Sequence, residues 1–141
     1  MKDPVVDKIV AHIARVAAGE IPAAARTAAK AFIADSLGVG IAGAAAPWRR
    51  EVLDMAAASG GHPQATVWGS GDKLPLPAAA MVNGYQMHAL EFDCVHEGAV
   101  VHAMSAILPS LLGWAERDRT ISGERLIRAG YEVAPQVGCT R

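Results

Sequence analysis

The chain is expected to fold as an all-α, bundle-like helical domain with almost no strand. Three observations predict this. Apolar residues recur at helical spacing through most segments, and glycines and prolines punctuate those segments rather than alternating extended runs. Hydrophobic residues make up 52% of the 141 positions while aromatics supply only 5%, so 29 alanines carry much of the apolar character. Small side chains of that kind suit close helix packing around one core, and the length suits one domain.

The elements follow in order. Asp3 can cap a helix whose first residue is Pro4, with Val5, Ile9, Ile13 and Val16 as its apolar stripe and Gly19 as its end. A second helix opens at Pro22 and is expected to carry Phe32, Ile33, Leu37 and Ile41 to the core, with Gly38, Gly40 and Gly43 permitting close backbone approach. A third runs from Trp48 to Ser59 and ends at Gly60-Gly61, after which Ala65 to Trp68 is a short extended stretch before a turn at Gly69-Ser70-Gly71-Asp72. Pro75 and Pro77 open a fourth helix that places Met81, Tyr85, His88 and Phe92 on one face and delivers Glu91 and Asp93 at its end. A fifth helix, from about His102 to Arg117, contains Pro109, expected to kink it or to mark the end of a preceding turn. A sixth starts at the N-cap Ser122 and is interrupted at Pro135.

Formal net charge is −1, and the basic residues are scattered, which argues against nucleic-acid binding. Cys94 and Cys139 form no paired metal or redox spacing, and the first residues lack the apolar core of a secretory signal. A cytoplasmic setting is expected. The charge-free run from Gly98 to Ala115 includes His102, Ser105, Pro109 and Ser110, and reads as a buried helix rather than a membrane span.

Chemistry concentrates between Asn83 and Ala103, where three of five histidines and three of fourteen acids fall within 21 residues. An imidazole with an ordinary pKa of about 6.5 can give or take a proton near neutrality, and a neighbouring carboxylate orients the ring. Asp93, Cys94, His96, Glu97 and His102 also carry metal-donor atoms, but His96 and His102 are six apart with no helix to join them, so no familiar metal spacing results. Taken alone, His88 on an apolar helix face reads as a core histidine, Asp93 and Glu97 as helix caps, and Cys94 as inert packing.

The same segment resembles the signature of the MmgE/PrpD family of 2-methylcitrate dehydratases and cis-aconitate decarboxylases. Asn83-Gly84, His88-Ala89-Leu90-Glu91-Phe92-Asp93 and His96-Glu97-Gly98 followed by His102 are similar to that family's pattern, as are Ala34 to Gly43, Ala65 to Gly69, Ile121 to Gly123 and Gly130 to Ala134. Departures are Glu91 in place of Asp, Cys94-Val95 in place of Asp-Thr, and Ala103 in place of Pro. The resemblance implies that residues 1–141 are the N-terminal helical part of a two-domain lyase that dehydrates or decarboxylates tricarboxylates without a metal or organic cofactor. It assigns His102 as the proton-transfer group, Asp93 and Glu91 as its orienting or acid partners, and His96, Glu97 and His88 as substrate contacts.

That resemblance also implies a di- or tricarboxylate substrate and a homo-oligomer, with no nucleic-acid or membrane partner. No Lys or Arg occurs from Leu74 to Glu116, although such a substrate needs cations to hold it. The fragment is therefore expected to be inactive alone. Two rival readings are a metal site within residues 93–102 and a non-catalytic helical remnant that acts by association through exposed apolar surface.

Overall fold

Among the described residues the fold has six α-helices and a minimal hairpin. The structure is a computed structural model that describes residues 4–19, 21–95 and 100–138. The elements are α1 (Pro4–Ala18), α2 (Ala23–Ala42), a 3₁₀ turn (Gly43–Ala45), α3 (Arg49–Ala58), β1 (Ala65–Thr66), β2 (Lys73–Leu74), α4 (Leu76–His88), α5 (Ala103–Arg117) and α6 (Gly123–Gly138). The two strands pair antiparallel, Ala65 opposite Leu74 and Thr66 opposite Lys73. The all-α expectation therefore holds, with strand confined to four residues among those described.

The central element is α4, which packs against α2, α3 and α5. Pro75 precedes it with extended backbone and Pro77 occupies its first turn, where a missing N–H costs no helical bond. Its buried face is small and partly polar: Ala79, Val82 and Met87 lie beside Asn83 and Gln86. A buried amide must find partners, and both do. Asn83 accepts from the Trp68 N–H at 2.9 Å and donates to the Thr66 carbonyl at 2.9 Å. Gln86 donates to the carbonyls of Gly40 at 3.0 Å and Trp68 at 3.1 Å, and accepts from Arg49 Nε at 3.2 Å. Two side chains one turn apart thus tie α4 to the hairpin, α2 and α3.

Close approach on the α2 side depends on glycine, at two of the three expected positions. A Cβ at Gly40 would stand 2.8 Å from the Trp68 ring, and one at Gly43 would overlap the Gln86 backbone carbonyl. Gly38 has nothing within 4 Å. The expected apolar face of α2 is corrected at two of its four positions, Ile33 and Leu37 being half-buried. Phe32 is 49% exposed and Ile41 55% exposed, whereas Ser36 and Gly40 are the buried positions, because the glycine face is the one that fits against α4 and Trp68. With the 3₁₀ turn, Ala23–Ala45 is long and apolar enough by length and composition to cross a membrane, yet it carries Arg26, Lys30 and Asp35.

Other expectations shift at the ends of elements. Asp3 and Cys139 lie outside the described residues, as do the side chains of the Val5, Ile9, Ile13, Val16 stripe. Ser122 caps α6 as expected, its hydroxyl accepting from the Arg125 N–H at 3.2 Å. Pro135 does not interrupt α6, which runs on to Gly138, and Pro109 lies buried inside α5 without ending it. A proline removes one helical hydrogen bond, and the packing of the helix outweighs that loss.

The hairpin is pinned to α5 by Glu116, whose carboxylate accepts from the Thr66 N–H at 2.8 Å, the Thr66 hydroxyl at 2.7 Å and Lys73 Nζ at 3.1 Å. Burial pushes this carboxyl up, but the Thr66 and Lys73 hydrogen bonds and the Lys73 charge outweigh it and hold Glu116 below the ordinary carboxylate range. A carboxylate with a lowered folded-state pKa contributes stability that is complete above its unfolded value and lost as pH falls through the folded one. Glu116→Gln should therefore lower the melting temperature at neutral pH and flatten its acid-side decline. A thermal scan series from neutral to acid pH checks this. Among the glycines, Gly43→Ala should cost about 1–3 kcal/mol or more through overpacking, while the exposed Gly38→Ala should gain roughly 0.5–1 kcal/mol, as read by denaturant unfolding.

Candidate active site

The end of α4 and the start of α5 bring three expected site residues together. α4 stops at His88, earlier than expected, so Glu91, Phe92 and Asp93 follow in a turn rather than on the helix. Phe92 accordingly leaves the predicted face and is 79% exposed. The chain closes the helix with Ala89 N–H donating to the Tyr85 carbonyl at 2.8 Å and Glu91 N–H donating to the His88 carbonyl at 2.9 Å. Glu91 then adopts φ 53°, a left-handed conformation that costs a non-glycine residue energy and reverses the chain direction. That reversal turns Asp93 back beneath His88.

Asp93 has a side chain with 0% exposure and lies between two imidazoles. His88 Nδ1 stands 3.1 Å from Oδ1 and 3.2 Å from Oδ2. His102 Nδ1 stands 3.1 Å from Oδ2 and is itself buried, but off the line of a hydrogen bond, so its tie to the carboxylate is electrostatic. The two rings meet edge to face with centroids 4.7 Å apart. A bare nitrogen lone pair pointed at a carboxylate would be repelled, so the His88 hydrogen bond favours a proton on its Nδ1 and leaves Nε2 as its other nitrogen. For His88 that nitrogen is 3.6 Å from Glu91 Oε1, a partner 78% exposed at the side chain.

The expected partners of His102 are thus divided. Asp93 is its direct neighbour, whereas Glu91 reaches His88 instead. His88 is not the satisfied core histidine that its helix position alone suggests, because its side chain is 46% exposed and belongs to the same cluster. His96 and Glu97 lie outside the described residues.

Sequence spacing placed His88 on α4 but could not reveal that it shares a carboxylate with His102. The contact needs the left-handed turn at Glu91 and the antiparallel packing of α5 on α4. The surroundings of Cys94 disfavour a reactive thiolate. Burial, followed by the negative charges of Asp93 and Asp35, pushes its thiol up and disfavours the thiolate.

His88, Asp93 and His102 offer one donor atom each, all within 4.8 Å of one another, and could hold a metal ion by donor type. Of the five donors named from sequence, Asp93 and His102 enter this trio and Cys94 does not, while His96 and Glu97 lie outside the described residues. Imidazole and carboxylate in this arrangement can also relay a proton without a metal, the carboxylate lying against both rings.

A profile for the MmgE/PrpD N-terminal domain matches residues 7–140. The chain is 31% identical to cis-aconitate decarboxylase of Aspergillus terreus, over 97% of this chain and 29% of that protein. It is 30% identical to the cis-aconitate decarboxylase-like protein oryM of Aspergillus oryzae, over 84% of this chain and 27% of that protein. It is 36% identical to cis-aconitate decarboxylase of Mus musculus, over 62% of this chain and 18% of that protein. The chain spans less than a third of the length of these relatives. No solved structure gives a significant match. A helical fold grouped around α4, the histidine–carboxylate cluster at its end and the match over nearly the whole chain place this protein in the MmgE/PrpD family, over that family's N-terminal domain.

Proposed function

We propose that this domain supplies an acid–base element of a lyase that acts on a di- or tricarboxylate, decarboxylating a cis-aconitate-like acid or dehydrating a related hydroxy acid. The observation that carries the reading is the buried Asp93 carboxylate between the His88 and His102 rings. The kinship with decarboxylases supports it.

His102 is the proton-transfer group. In decarboxylation the carbon–carbon bond to the departing carboxylate breaks, its electron pair stays on the remaining carbon skeleton, and a protonated His102 Nε2 delivers a proton to carbon. In dehydration the same ring, unprotonated at Nε2, removes a proton beside a carboxylate while an acid protonates the leaving hydroxyl. In either direction Asp93, whose Oδ2 stands 3.1 Å from Nδ1, is proposed to fix the orientation of the ring. His88 shares that carboxylate and positions Glu91, and with His96 and Glu97 it is proposed to contact substrate.

The absence of Lys and Arg from Leu74 to Glu116 bears on binding. A polyanionic substrate beside Asp93 and Glu91 is repelled unless cations from elsewhere hold it. The chain of 141 residues should therefore show no measurable decarboxylase or dehydratase turnover. Robust turnover by the purified chain would overturn this. Association with a second copy is part of the same proposal, supported by exposed Phe32, Ile41, Met81 and Phe92.

In a longer form bearing the rest of the family fold, His102→Ala should lower kcat by roughly 100-fold to 10,000-fold, the usual worth of a positioned acid or base. Steady-state kinetics decide it. A kcat within a few fold for His102→Ala, with activity abolished by His88→Ala, would reassign the proton-transfer role to His88.

A metal at the same trio is the second reading, favoured by its donor set. A metal bound to the native state would survive dialysis and raise the melting temperature. The acid–base reading predicts neither near-stoichiometric zinc in elemental analysis nor a fall in melting temperature on adding a chelator. Zinc near one per chain would favour the metal.

A further inference from the structure

The histidine pair spans two helices, and its geometry depends on how closely they approach. Gly84 and His88 lie one turn apart on α4, and Ser105 lies one turn from His102 at the start of α5. The helices run antiparallel, so Gly84 meets Ser105 where His88 meets His102. A Cβ at Gly84 would stand 2.7 Å from the Ser105 carbonyl oxygen, closer than such contacts allow. That carbonyl is the one whose helical partner would be the N–H of residue 109, and residue 109 is a proline without one. A carbonyl freed in this way can lie directly against a neighbouring backbone that has no side chain. The Ser105 hydroxyl, meanwhile, donates to the His102 carbonyl at 2.8 Å and ties the histidine's backbone to the same point of contact.

We propose that Gly84 and Ser105, with Pro109 behind them, are positioning residues that hold His102 against Asp93. This rests on the reading of His102 as the acid–base group. Asp93 follows α4 by five residues from His88 and is bound to it, so it moves with α4. His102 moves with α5. Any widening of the seam at Gly84 should therefore draw His102 away from Asp93 while His88 keeps its carboxylate. A displacement of about 1 Å at a catalytic group can cost on the order of 100-fold in rate, which is why a glycine at this point matters to the chemistry.

Imidazole nitrogen resonances of the 141-residue chain, recorded by long-range ¹H–¹⁵N correlation at fixed pH, test this without any need for turnover. The exposed His62 serves as an internal reference for an unengaged ring. In Gly84→Ala the His102 nitrogens should shift towards those of His62 while the His88 nitrogens stay in place. In Gly38→Ala, where a Cβ meets nothing within 4 Å, neither should move. Should Gly84→Ala fail to fold, Ser105→Ala keeps the carbonyl and loses only the hydroxyl tie, and it should likewise shift His102 alone. An unchanged His102, or His88 and His102 shifting together, would overturn the proposal. Failure of the acid–base reading would show in the kinetics of the longer protein and leave these spectra as predicted.

Discussion

Two buried amides hold this domain together. Asn83 and Gln86 sit one turn apart on α4, and among them their side chains satisfy backbone groups of Thr66, Trp68 and Gly40 and take up the Arg49 guanidinium. In an interior of alanine, glycine and valine, such amides are costly unless every group finds a partner. Here they do, and the result is more specific than apolar contact. Slippage of α4 along its axis would leave both ends of each hydrogen bond unsatisfied at once, so α4 has one register against the hairpin and α2. Gly40 and Gly43 let the backbones come close enough for those bonds to form.

The histidine–carboxylate cluster inherits that register. His88 is two residues beyond Gln86, and Asp93 returns to it through the left-handed turn at Glu91. On the other side of the cluster, His102 enters from the start of α5, so the site exists only where two helices meet. One carboxylate shared by two rings is a compact way to orient both, and its complete burial strengthens each interaction. Around it the acids outnumber the bases: Asp35 and Asp93 both act on Cys94, and Glu91 stands exposed beside His88. The stretch from Leu74 to Glu116 contains no Lys or Arg, so it brings no cation to the cluster.

Much of the architecture was legible because helical periodicity and proline or glycine punctuation act locally. The starts of α1, α4 and α6 fall where Pro4, Pro77 and Ser122 signal them. Local signals failed where packing decided the outcome. Phe32 and Ile41 read as core by hydrophobicity, yet the glycine face of α2 is buried instead, because close approach to Trp68 and Gln86 requires the absence of side chains rather than the presence of large ones. Pro135 read as a break that the helix does not make. In the site, Asp93 and His102 were identified together, but Glu91 pairs with the other histidine, and the role of His88 needed the α4–α5 contact, which no spacing within one element encodes.

The central claim is that the Asp93 carboxylate organises both imidazoles. Asp93→Asn tests it most directly, since the amide keeps the shape of the side chain and removes the charge that two ring nitrogens face. Imidazole nitrogen spectra of this variant should show His88 and His102 shifting together towards the exposed His62, with the backbone resonances of α4 and α5 otherwise retained. If either ring keeps its wild-type resonances, that ring is held by something other than Asp93, and the shared-carboxylate account of the site is wrong.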